Sequence, residues 1–124
     1  MPGTAKKSVL VVDDEQGFRD LFVFFLEPMG LEVVCAENGR IGLEKICQRS
    51  FEIVFMDVHM PEMDGFQALR EIWKIRPEQK VIILSSCSDP QYIQENKALA
   101  DGAVECLMKP LELHEIEKVL RKVL

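Results

Sequence analysis

The sequence predicts an α/β domain built on a parallel sheet with helices on both faces, and three observations carry that prediction. Five short runs, at Ser8–Val12, Glu32–Ala36, Glu52–Met56, Val81–Leu84 and Val104–Leu107, are rich in Val, Ile, Leu, Phe and Cys. They are too short for helices and too apolar for a sheet with one wet face. Between them lie segments with helical periodicity. Strands that alternate with helices pair in parallel through right-handed crossovers, which cover both sides of the sheet.

Each element has its own signal. In the first helix Phe18, Leu21, Phe22, Phe25, Leu26 and Met29 follow the i, i+3, i+4, i+7 rule for one buried face. Pro28 lacks an amide donor and disfavours helical angles at Glu27, so this helix is expected to end or kink near Glu27. Further helices are expected at Gly39–Arg49, Phe66–Ile75, Pro90–Ala100 and Glu112–Leu124, which makes five. Residues 1–7 read as an N-terminal extension and residues 8–124 as one domain, because 124 residues suit a single core.

Composition narrows the function classes. The chain is 48% hydrophobic and 29% charged, with a formal net charge of -6 and 15 scattered Lys and Arg residues. Phosphate backbones are held by clustered cations, so nucleic-acid binding by this domain alone is not expected. The longest apolar stretches fall far short of the ~20 residues that span a bilayer, and Met1–Lys7 does not open a signal peptide. Cys35, Cys47, Cys87 and Cys106 show no CxxC spacing and sit in apolar runs, which reads as reduced thiols in the cytoplasm.

In an open parallel sheet, ligands bind beyond the carboxyl ends of the strands. Asp13 and Asp14 follow the first strand, Asp57 the third, Ser85 and Ser86 the fourth, and Lys109 the fifth. Three acids, a hydroxyl and a lysine therefore converge on one rim. Read alone, Asp13 and Asp14 would cap a helix, Asp57 would begin a turn and Lys109 would be a solvated surface lysine.

The ordered set reads otherwise. Val11-Val12-Asp13-Asp14-Glu15, the run from Met56 and Asp57 through His59, Met60 and Pro61 to Asp64-Gly65, then Leu84-Ser85-Ser86, Gly102-Ala103 and Lys109-Pro110 resemble the receiver domain of response regulators. The match covers about Ser8 to Leu124 and resembles the single-domain type of chemotaxis and sporulation phosphorelays, a whole protein and the N-terminal piece of a longer regulator both being open readings. The resemblance implies a flavodoxin-like, doubly wound, five-stranded parallel sheet of order 2-1-3-4-5. It also implies a phospho-accepting signalling protein of a two-component system or phosphorelay. Such a protein catalyses its own phosphotransfer and autodephosphorylation and is not otherwise an enzyme.

The chemistry explains the grouping. An aspartate attacks phosphorus only if repulsion between the two anions is removed, and crowded carboxylates resist ionisation unless a cation neutralises them. Magnesium, a hard ion that takes oxygen ligands, suits Asp13, Asp14 and Asp57. By the resemblance, Asp57 is the acceptor and binds the ion with Asp14 and the His59 carbonyl, while Asp13 acts through water. Lys109 and Ser85 would meet the phosphoryl oxygens, and the Lys109-Pro110 peptide would be cis. The implied partners are a sensor histidine kinase or a histidine phosphotransfer protein, without membrane insertion, the chain being a monomer or a weak phosphorylation-dependent dimer.

Some positions depart from the common pattern. Cys106 stands where receivers carry an aromatic or His switch residue, which turns attention to Ser85 with the loop after it, and to Tyr92, as carriers of the signal. His59 and Cys87 take the two variable places flanking the phosphoryl group, where they would order or block the hydrolytic water. Val23 and Phe24 lie off the main apolar face of the first helix, on the surface that in the family meets the partner's helices. Other classes fit less well. A haloacid-dehalogenase-type phosphohydrolase needs a second Asp where this chain has His59. Flavodoxin needs a hydroxyl- and glycine-rich phosphate loop where this chain has two acids. A degenerate receiver would have lost a core residue, and Asp13, Asp14, Asp57, Ser85 and Lys109 are all present.

Overall fold

A computed structural model describes residues 6–60, 65–86, 97 and 102–124. Its centre is one sheet of five strands, β1 (Ser8–Val12), β2 (Glu32–Ala36), β3 (Ile53–Asp57), β4 (Val81–Ser86) and β5 (Glu105–Lys109). They lie in the order β2-β1-β3-β4-β5, every neighbouring pair parallel. The order implied by the resemblance is therefore the observed one.

Alternation along the strands divides the core. Leu10, Val12, Val54, Met56, Val81 and Ile83 face one way, where they pack with Ile46, Phe66, Leu69 and Ile72. Val9, Val11, Ile53, Phe55, Ile82 and Leu84 face the other way, against Phe22, Leu26, Ile116, Val119 and Leu120. Burial on both faces is why these strands read as continuous apolar runs. Helices α2 (Gly39–Gln48) and α3 (Gly65–Ile75) cover the first face, and α1 (Gln16–Leu26) and α4 (Leu113–Val123) cover the second.

The helix ends follow local chemistry. Helix α1 stops at Leu26, and Glu27–Met29 form a single 3-10 turn around Pro28, closed by Gly30 at a left-handed φ of 83°. The break expected near Glu27 is thus present. Asn38 caps α2, its Oδ1 accepting from the Ile41 amide at 2.8 Å. Four helices lie among the described residues, not five. The helix expected at Pro90–Ala100 falls outside them apart from Lys97.

One class of boundary differs from the sequence reading. Strands β3, β4 and β5 run on to Asp57, Ser86 and Lys109, past the apolar residues at which the runs were expected to stop. Asp57 pairs with Leu84, Ser85 with Met108 and Ser86 with Lys109. Parallel pairing uses backbone groups and is indifferent to side-chain polarity. The polar residues therefore sit on strand backbone rather than on the loops beyond it.

Candidate functional site

The carboxyl ends of β1, β3 and β5 bring the expected residues together. Asp13 follows β1, its amide donating to the Ala36 carbonyl at 3.1 Å. Its side chain is fully buried, and Oδ1 accepts from the Glu15 amide at 2.9 Å. Oδ2 lies 2.7 Å from Lys109 Nζ as an ion pair, without an aligned hydrogen-bond donor among the described residues. Asp14 is exposed at the mouth of the site.

Asp57, the last residue of β3, is 3% exposed. Its Oδ1 accepts from the His59 amide at 2.9 Å, and its Oδ2 accepts from Lys109 Nζ at 3.3 Å. Two donors on different oxygens fix the rotation of the carboxylate. Helix α3 starts close by, and a Cβ at Gly65 would run into the backbone of Asp57 and Val58. Only glycine permits that approach.

Lys109 is the hub. Its Nζ pairs with Asp13 at 2.7 Å and with Glu15 and Asp57 at 3.3 Å each. It also lies over the Phe18 ring, 4.3 Å from the centroid. The Lys109-Pro110 peptide is cis, as the resemblance implied.

The electrostatics are strained. Burial raises the Asp57 carboxyl from 3.8 to about 6; Asp13 adds to the rise, and the His59 amide and Lys109 oppose it. Burial also raises Asp13, against the pull of Lys109 and the Glu15 amide. For Lys109 burial acts downward, but its pairing with the Asp13 and Asp57 carboxylates outweighs it and holds the ammonium above its ordinary value.

The acids fit a hard divalent cation. Asp13, Asp14 and Asp57 each offer a carboxylate oxygen, all within 4.8 Å of one another. Together with the buried, poorly satisfied Oδ2 of Asp13, this is a donor set that a cation would relieve.

Ser85 is buried on β4, immediately after the Asp57 partner Leu84. His59 is half-buried, and Cys106 is exposed on β5 beside Leu107. Cys87 and Tyr92 fall outside the described residues. Phe24 is 74% exposed, which takes it out of the core, whereas Val23 is half-buried.

Three participants were not singled out from the sequence as site residues. Arg19 Nη1 donates to the Asp13 carbonyl at 2.7 Å, Glu15 pairs with Lys109, and Phe18 lies under it. Glu15 stands inside the acidic motif, and the periodicity of the first helix puts Phe18 on its buried face. For Arg19 the only sequence signal was its place one turn after the acid pair.

Among known proteins, the chain matches the family described as the response regulator receiver domain over residues 9–121. The chemotaxis protein CheY of Thermotoga maritima is 36% identical over 118 residues, covering 94% of this chain and 97% of that protein. The transcriptional regulatory protein ZraR of Escherichia coli O157:H7 is 36% identical over 116 residues, covering 94% of this chain, which spans 26% of ZraR. Among solved structures, the chemotaxis protein CheY4 of Vibrio cholerae has a TM-score of 0.86 at 32% identity, covering 97% of this chain and 100% of that one. The response regulator protein TrrA of Thermotoga maritima, in complex with Mg(2+)-BeF, has a TM-score of 0.84 at 30% identity, covering 95% of this chain and 99% of that one.

Proposed function

The chain belongs to the response regulator receiver domains of two-component systems, and we propose that its Asp57 accepts a phosphoryl group from a partner's phosphohistidine. The observation that carries this reading is the meeting of three carboxylates and one ammonium at the carboxyl rim of the sheet. In the transfer, a carboxylate oxygen of Asp57 bonds to phosphorus as the phosphorus–nitrogen bond of the donor breaks. The imidazole leaves with the electron pair.

Asp57 titrates near 6, so at neutral pH it is the nucleophilic carboxylate. The His59 amide and Lys109 hold it against rotation. Lys109 then turns from carboxylate to phosphoryl oxygen, and the Ser85 hydroxyl donates to another. Asp14, Asp57 and the His59 carbonyl would hold magnesium, with Asp13 acting through water. When bound, the ion supplies positive charge that offsets the carboxylates and the incoming phosphoryl oxygens.

The donor is a sensor histidine kinase or a histidine phosphotransfer protein, and the exposed Phe24 supports a docking face on α1. The chain acts as a monomer or a weak phosphorylation-dependent dimer and hydrolyses its own aspartyl phosphate. The thiols of Cys35 and Cys47, which form no disulfide, suit the cytoplasm, and no helix among the described residues is long and apolar enough to cross a membrane. Acetyl phosphate or beryllofluoride with magnesium tests the reading. Modification is expected at Asp57, with none in Asp57→Asn, as read by mass spectrometry. Stable modification of the Asn variant at another residue would overturn it.

A further inference from the structure

We infer that Phe18 is a positioning residue for Lys109, its ring face holding the ammonium in place while the charges around it change. The inference rests on the proposed role of Lys109 at the phosphoryl group. Lys109 Nζ stands 4.3 Å from the Phe18 centroid. That is well inside the roughly 6 Å within which the quadrupole of an aromatic ring attracts a cation. The ring is itself anchored, its centroid 5.4 Å from that of Phe22, whose ring lies 4.7 Å from Phe55. Phe22 and Phe55 are fully buried, and Phe55 precedes Asp57 by two residues on β3. An aromatic run thus ties the lysine to the strand that carries the acceptor.

The other partners of Lys109 are carboxylates. Asp13 and Asp57 are the groups that a divalent ion would claim, and Asp57 loses its charge as a carboxylate when it is esterified. Glu15 is 67% exposed, so its pull is screened by solvent. Of these four contacts, Glu15 and the ring keep their attraction through the whole cycle, and of the two the ring is the one anchored to the core. It keeps the long lysine side chain near the acceptor as one anion is exchanged for another, so less conformational freedom is lost at the phosphoryl group.

The test uses the full chain with magnesium and beryllofluoride, comparing the parent with Phe18→Leu and Phe18→Tyr. In the parent, the ε-methylene protons of Lys109 should be displaced upfield by the ring current in NMR spectra, free and bound. The displacement should vanish in Phe18→Leu and persist in Phe18→Tyr. Beryllofluoride affinity should fall about 3- to 10-fold in Phe18→Leu and stay within about twofold in Phe18→Tyr. Rescue by a second ring, together with the ring-current signature, separates positioning from mere packing. Undisplaced protons in the parent, unchanged affinity in Phe18→Leu, or equal loss in Phe18→Tyr would overturn the inference while leaving Asp57 as acceptor. A parent that takes neither beryllofluoride nor acetyl phosphate would overturn both. Should Phe18→Leu fail to fold, the parent spectra and Phe18→Tyr decide the matter.

Discussion

The two ends of the sheet use the same kinds of charged residue to opposite effect. At the amino end three cations, Arg49, Arg76 and Lys80, meet groups that accept them. The Arg76 guanidinium donates to the Ile46 carbonyl in the last turn of α2 at 3.0 and 3.2 Å, and Lys80 Nζ donates to the Val123 carbonyl at the end of α4 at 3.1 Å. Arg49 donates to Ser8 Oγ at 2.9 Å, pairs with Glu32 and lies over the Phe51 ring. The Arg76 and Lys80 contacts satisfy carbonyls that helix ends leave orphaned. At the carboxyl end, Asp13, Glu15 and Asp57 crowd around one lysine, and burial raises the pKa values of Asp13 and Asp57. Charge stabilises the fold at one end and is held at a cost at the other.

The largest effect expected from breaking this contrast is a gain in stability. Folded Asp57 keeps its proton up to about 6, whereas the unfolded chain releases it near 3.8. The contribution of this group is therefore fully present below about 3.8 and is lost as pH rises through about 6. That loss is worth on the order of 3 kcal/mol. Metal-free Asp57→Asn should accordingly be more stable than the parent at pH 7 by up to roughly that amount, and the gain should close below pH 4, both read by urea unfolding. An unchanged or reduced stability at pH 7 would count against a strained acceptor.

At the other end the sign reverses. Arg76→Met should cost about 1–2 kcal/mol, because the Ile46 carbonyl loses a charged donor. The rate of modification by acetyl phosphate should stay the same, which would keep the two ends separable. Asp14→Ala is the next smaller effect. It should weaken magnesium binding on the order of tenfold in a calorimetric titration, since a ligand and its negative potential go together. Unchanged affinity would place the ion elsewhere. Smallest is the lifetime of the phosphorylated state. His59→Asn combined with Cys87→Glu should speed its decay several-fold, about 1 kcal/mol, by orienting water better than an imidazole and a thiol do. Decay at the parental rate would show that these positions do not gate the water.

How much of this was legible depended on the range of the interaction. The strand runs and the stripe from Phe18 to Met29 are local patterns, so the alternation and the break at Pro28 could be read directly. The sheet order and the roles of Asp57 and Lys109 came from the ordered motif, because no local property of a lysine shows that it will meet an acid 52 positions away. Strand ends were read short at β3 and β4 because hydrophobicity stops at Met56 and Leu84 while the backbone ladder continues, and β5 also runs past Leu107 through the apolar Met108 to Lys109. The contacts of Phe18 and Arg19 were invisible for a related reason. A residue on an apolar stripe gives no sign that the face of its ring will serve a charge, and the Arg19 bond is to a carbonyl, which every residue has.

The two-faced alternation of β3 has one more consequence, for the ways in which this protein can fail. Val54 and Met56 point into one apolar layer, while Ile53 and Phe55 point into the other, with Asp57 continuing their parity. Inserting or deleting a single residue before Asp57 in this strand would exchange the two sets, turning the acceptor toward the layer now filled by Met56. Misthreading and loss of signalling would then be the same event. Within Ile53–Asp57 such length changes should give chains that do not fold, rather than folded chains that signal weakly.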